Sequence, residues 1–236
     1  MKNNKEYSPK IKSLYRSLKR EYSKPEKVVY DEPLEALIYG IISENMSESA
    51  AQSAIKSVAS NFINFNDLRV SLEEEIVEVL GQDTPEIRHT VLVLKKVLAN
   101  LFRKYNRVSL AELKKIGKRQ AKKTLKEMEG VCNFAVNYCM LTSLYGHAIP
   151  LTARMTEYLR SNELVHPEAG EQEIEGFLTR QISAANGYEF YALLRGHSES
   201  DGRGAKKKVR TKSVPKTTKK KASQTRKKTG TKKSEK

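Results

Sequence analysis

Residues 128–136 read MEGVCNFAV, between a lysine-rich segment, LKKIGKRQAKKTLKEM (113–128), and the most apolar run of the chain, FAVNYCMLTSLY (134–145). Both flanks carry helical signals. On a wheel of about 100° per residue, Lys114, Lys115, Lys118, Arg119, Lys122, Lys123 and Lys126 fall in one half, and Leu113, Ile116, Ala121 and Leu125 in the other. The 134–145 run is apolar nearly all round, which predicts a helix buried on several sides. The expected motif is helix, Glu129-Gly130-Val131-Cys132, helix.

Glycine in a tight turn between helices permits positive φ, and the N–H groups that open the second helix then face outward, where they can bind a phosphate oxygen. Gly130, Val131, Cys132 and Asn133 are the candidates for this contact. The lysine segment points the same way. No acid interrupts its seven cations between 114 and 126, whereas a solvated helix usually mixes signs to gain pairs one turn apart. An anionic partner would relieve the repulsion. Contacts of this kind read nucleic-acid backbone and carry no base-sequence information.

Of the 44 Lys and Arg residues, 16 lie within 203–236, a segment with one acid, Glu235, and no aromatic residue. The formal charge of +16 is thus a property of the C-terminal tail, and residues 1–202 are nearly neutral. The tail from 201 to 236 is too polar to bury a core and is expected to be disordered. Its lysines fit electrostatic attraction to nucleic acid, with a merely solubilising terminus as the bland alternative. Residues 1–27, with nine basic residues against three acids, form a second positive zone. Tyr7 to Lys27 has Ile11, Leu14, Tyr15 and Leu18 at helical spacing, so it reads as a basic N-terminal helix or arm.

Between them, 28–200 reads as one all-α domain. Leu34, Leu37, Ile38, Ile41 and Ile42 keep a three-four spacing, as do Ile87, Val91, Leu94, Leu98 and Leu101, and Ile174, Phe177, Leu178 and Ile182. Start signals precede them at Asp31-Glu32-Pro33 and Thr84-Pro85-Glu86, with a possible capping box from Ser109 to Glu112. No alternating strand pattern competes. Cys132 and Cys139 fall on one predicted helix and suit neither a local disulfide nor a cluster, and the four histidines lack metal-ligand spacing, so no metal or cofactor is expected. No apolar run long enough for a membrane span and no signal peptide are found. The expected location is cytoplasmic and nucleoid-associated, or nuclear in a eukaryote.

From Asp31 to about Glu199 the chain resembles the helix-hairpin-helix DNA glycosylase superfamily, of the endonuclease III type and the branch without an iron–sulfur cluster. DEPLEALIYGIISENMSES resembles the family's opening helix and LLSxQ loop, MEGVCNFAVNYCMLTSLYG the hairpin LPGVGxKTAxxVL, HAIPLTARMTEYLRSN the PVDTHVxRVxxRL segment, and GYEFYALLRGHSE the closing HxxLxxxGR helix. The resemblance implies two helical lobes around a cleft that receives a flipped base. It also implies a monomer acting on double-stranded DNA, damaged or mismatched, in base-excision repair.

Family chemistry uses an aspartate to stabilise charge on the sugar and, in members that cut the backbone, a hairpin lysine that forms a Schiff base. Carried over residue by residue, the lysine position is Phe134, the aspartate position Thr152 and the second hairpin glycine Cys132. No Asp or Glu occurs between Glu129 and Glu157. The resemblance therefore implies a catalytically degenerate DNA-binding member. One alternative is an active glycosylase with a relocated acid, for which Glu44, Glu129 and Glu157 are nearest. Another is an architectural protein whose tail compacts DNA. Thr152 after Pro150 also reads as a helix N-cap. Asn45 matches the position that fills the gap left by a flipped base, and reads equally as a loop residue. Tyr188, Phe190 and Tyr191 line either a base pocket or the core.

Overall fold

A computed structural model describes residues 4–200, so the tail reading for 201–236 lies outside the described residues. Eleven α-helices occur among them, and no strand. They are α1 (Asn4–Glu21), α2 (Pro33–Ser43), α3 (Glu48–Asn61), α4 (Phe65–Val70), α5 (Glu73–Leu80), α6 (Pro85–Tyr105), α7 (Lys118–Lys126), α8 (Asn133–Thr142), α9 (Ala153–Ser161), α10 (Glu171–Gln181) and α11 (Gly187–Glu199). Short 3-10 turns cover Ala111–Lys115 and Ala184–Asn186.

The start signals act as read. Glu32 accepts from the Leu34 amide ahead of Pro33, and the Thr84 hydroxyl accepts from the Ile87 amide ahead of Pro85. Ser109 and Glu112 do not form a capping box. The Ser109 hydroxyl bonds Glu32, while Glu112 pairs outward with Lys115 and Arg107. The apolar stripes of α2, α6 and α10 are buried as their spacing predicts.

Two lobes result. In one, α3 packs on α5, α4 and α5 pack on α6, and α2 touches both α3 and α6. In the other, α1 lies across α10 and α11, and α9 packs on α11. Ile11 and Leu18 of α1 are fully buried there, which ties the chain's beginning to its closing helices. The centre of the arrangement is α2 against α8, each buried at every residue but one. Gly40 makes that crossing possible: a Cβ on it would lie 2.7 Å from the Ala135 Cα. The α8 helix also touches α11, so the two lobes meet along it.

The lysine segment departs from its reading as one helix. Gly117 has extended backbone, φ −61° and ψ 144°, and separates the 3-10 turn at Ala111–Lys115 from α7. A residue without a Cβ or a capping side chain gives the helix little reason to continue across it. Leu113, Ala121 and Leu125 are buried as expected, but Ile116, beside the break, is exposed.

Candidate nucleic-acid interface and the closed cleft behind it

The turn between α7 and α8 has the geometry that its glycine foretold. Gly130 takes φ +80°, and a Cβ there would stand 3.0 Å from Val93 Cγ2 of α6, so conformation and space both call for glycine. The Val131 amide bonds back to Met128 O. Cys132 caps α8, its Sγ accepting from the Ala135 amide at 3.3 Å. Burial, with Glu44 beside it, pushes the Cys132 thiol up to about 12, so it stays a neutral thiol. The N–H groups at the helix start, including that of Asn133, lack intrahelical acceptors by construction, and they sit at the positive end of the α8 dipole. Gly130 itself is exposed.

The cations arrange themselves around this turn in two groups. Lys114 and Lys115 stand on the 3-10 turn, and Lys118, Arg119, Lys122, Lys123 and Lys126 on α7. All but Lys122 are exposed. Lys115 pairs with Glu112 at 2.9 Å, Lys123 with Glu127 at 3.7 Å, and Lys118 Nζ donates to Tyr145 O at 2.5 Å. Such exposed contacts are weak and yield readily to phosphate. Lys122 differs: it is half-buried and faces Glu175 of α10, and burial lowers its amine from the ordinary value.

Asn45 is exposed in the turn joining α2 to α3, and Ser47 caps α3 by accepting from the Ala50 amide. Behind that turn lies the seam between the lobes. Phe134 is 1% exposed, stacked with Tyr138 at 6.1 Å between ring centroids and close to Tyr191 at 6.2 Å. Tyr39, Tyr138, Tyr188 and Tyr191 continue the aromatic cluster, whereas Phe190 is buried against Tyr15 of α1. The cavity left among Glu48, Tyr138, Tyr188, Tyr191, Ala192, Arg195 and Gly196 measures about 20 Å³. That is room for a water molecule, against about 300 Å³ or more in a ligand pocket.

Thr152 is buried and caps α9, its hydroxyl accepting from the Met155 amide at 3.3 Å. Among the acids considered, Glu129 is exposed and paired with Lys96 at 2.9 Å, and Glu157 is exposed on α9. Glu44 is half-buried beside Cys132. Sequence reasoning missed Glu175. Its Oε1 is buried without a hydrogen-bond partner, and burial raises the carboxyl although Asn137 of α8 bonds it. It occupies the edge of an ordinary amphipathic stripe, so no local signal marks it. Arg195, buried to 1% exposure, was missed for the same reason.

No protein-family model and no curated protein sequence matches this chain. Solved structures do match. A non-covalent endonuclease III–DNA complex superposes with TM-score 0.62 at 16% identity, over 84% of this chain and 86% of that one. The Helicobacter pylori 3-methyladenine DNA glycosylase gives TM-score 0.58 at 14% identity, over 84% and 98%. The Clostridium acetobutylicum 8-oxoguanine glycosylase/lyase, solved with double-stranded DNA containing 8-oxoguanine, gives 0.58 at 18% identity, over 72% of this chain and 61% of that one. With its order of helices, its α7–α8 hairpin and its two lobes, the chain has the fold of the helix-hairpin-helix DNA glycosylases.

Proposed function

We propose that this protein binds double-stranded DNA through the α7–α8 hairpin and its flanking cations, and that it no longer carries out the glycosylase reaction. The observation that carries the reading is the fate of the two family positions. Phe134 is core packing and Thr152 is a helix cap, so each already performs a structural task that leaves no group for chemistry. A neutral, half-buried Cys132 supplies no nucleophile either. The grip, by contrast, keeps positive φ at Gly130, a helix-start amide at Asn133 without an intrahelical acceptor, and exposed Lys114, Lys115, Lys118, Arg119, Lys123 and Lys126, although Cys132 stands at the second glycine position. Lys122 belongs to this set by sequence but lies half-buried within electrostatic reach of Glu175.

The basic tail adds affinity by keeping further cations near a duplex already held. A nucleoid-associated or nuclear site follows from the same affinity. The test is fluorescence anisotropy with a labelled duplex across a salt series. Replacing Lys118, Arg119 and Lys126 by alanine should lower the slope of log K against log salt by roughly one for each phosphate no longer neutralised. Deleting 203–236 should lower it further while leaving measurable binding. If the truncated chain binds no duplex at all, the tail alone holds DNA and the body serves only as a docking block.

A second reading keeps the reaction with a relocated acid, and Glu175 is the residue that favours it, as a partly buried carboxyl raised by its surroundings. Alkali-labile strand breaks in damaged duplex that disappear in Glu175→Gln would establish it.

A further inference from the structure

The α1 helix presents two contrasting faces. Tyr7, Ile11 and Leu18 are buried on the side that meets α10 and α11. On the outer side stand Lys5, Lys12, Arg16 and Arg20, spaced by seven, four and four residues and all exposed, so that they share one face of the helix. None of the four makes an ion pair or a side-chain hydrogen bond among the described residues. The acids of α1 are engaged elsewhere: Glu6 pairs with Lys10 at 3.4 Å, and Glu21 lies 3.9 Å from His197. Near the beginning of the helix the face turns concave, where Asn4, Lys5, Ser8, Pro9, Lys12 and Gln181 line a shallow groove of about 420 Å³.

Four unpaired charges of one sign, spread along about 22 Å of helix, suit an extended polyanion better than a small ion. Over that length a duplex carries about a dozen phosphates. A lipid surface is a poorer match, because a helix that lies in a membrane interface needs its apolar face free. That of α1 is already committed to α10 and α11.

The packing of α11 sets this face apart from the hairpin. Tyr15 of α1 bonds Glu189 and packs edge-on to Phe190, and the Tyr22 hydroxyl lies 2.9 Å from His197 Nδ1. Tyr191 instead meets Phe134 and Tyr138 of α8, and Arg195 Nη2 donates to Ser43 O at the end of α2. At about 100° per residue these two sets lie roughly 160° apart around α11. The α1 helix is thus on one side of α11 and α8, with the hairpin at its start, on the other. The outer face of α1 points away from both, so a straight duplex seated on the hairpin does not reach it.

We propose that the outer face of α1 is a second duplex-binding surface, so that one molecule holds two DNA segments, one at the hairpin and one at α1. The inference rests on the DNA-binding reading above.

The test is bridging by the full chain, with a biotinylated duplex on streptavidin beads and a fluorescent duplex in solution. Wild type should carry the fluorescent duplex onto the beads. Replacing Lys5, Lys12, Arg16 and Arg20 together by glutamine should cut that capture about tenfold or more, the scale of several lost phosphate contacts. Affinity for a single duplex, measured by anisotropy, should change less than about twofold, as distant sites act independently. Arg16→Glu combined with Arg20→Glu should also cut capture, and decides the matter if circular dichroism shows the fourfold variant unfolded. Undiminished capture by a folded variant means that the tail or self-association joins the duplexes, and overturns the inference while DNA binding stands. So does the absence of capture by wild type at concentrations where anisotropy shows duplex bound. A loss of single-duplex affinity as large as the loss of capture places α1 in the hairpin site and overturns it too. Loss of binding to phosphatidylserine vesicles with capture unchanged assigns the face to lipid instead. Failure of wild type to bind any duplex overturns both readings.

Discussion

Gly130 shows how much of the interface depends on one backbone angle. Alanine there would be held at φ near +80° against Val93, and the left-handed region costs a non-glycine residue about 1 kcal/mol before any crowding. Gly130→Ala should therefore lower the unfolding free energy by at least that amount and weaken duplex binding, measured by urea titration and by anisotropy. Glu175 makes a different prediction. Its carboxyl is raised in the folded protein, so the folded state holds the proton more tightly than the unfolded chain does. That group's contribution to stability is then favourable at low pH and is lost as pH rises from the ordinary carboxylate range through the raised value. Glu175→Gln should melt higher than wild type at pH 7, and the difference should vanish below about pH 4. The two residues also mark the limits of legibility. Glycine in a turn announces itself, and Thr152 after Pro150 reads directly as the cap that it is. The burial of Glu175, and the bonds that Arg195 makes to Ser43, Met46 and Glu48, arise between elements far apart in sequence.

At the scale of elements, periodicity located the buried faces of α6 and α10 because each rests on a single stripe. It misled at the lysine segment, since a helical wheel presumes an unbroken helix and Gly117 ends that continuity. The cationic surface survives the break as two groups on either side of it. The α2–α8 crossing was not legible at all: both helices are buried on nearly every side, and such helices do not disclose which face meets which. Gly40 sets their approach. With Ala135 Cα only 2.7 Å from the place an added methyl group would take, Gly40→Ala must push the helices apart. Overpacking of this kind costs about 1–3 kcal/mol. The variant should lose that much stability in thermal or urea unfolding, although alanine is the better helix former.

In the whole molecule an aromatic cluster fills the seam between the two lobes. Tyr39, Phe134 and Tyr138 stack where the two lobes meet, Tyr191 packs at an angle to them, and Arg195 lies over the Phe134 ring. The resemblance in order and spacing foretold the two lobes and the hairpin, and the solved structures match that architecture. The filling of the seam was not legible in the sequence, because Tyr188, Phe190 and Tyr191 fit either a pocket or a core by spacing alone. The central claim is that the grip remains and the cutting chemistry does not. Its most direct test incubates the full chain with duplexes carrying uracil, a T·G mismatch, 3-methyladenine, 8-oxoguanine or an abasic site, at concentrations where anisotropy shows the DNA to be bound. After alkali, the account predicts intact strands for every base lesion and no breakage beyond the protein-free control for the abasic duplex. Alkali-labile breaks at any of the damaged bases would contradict it.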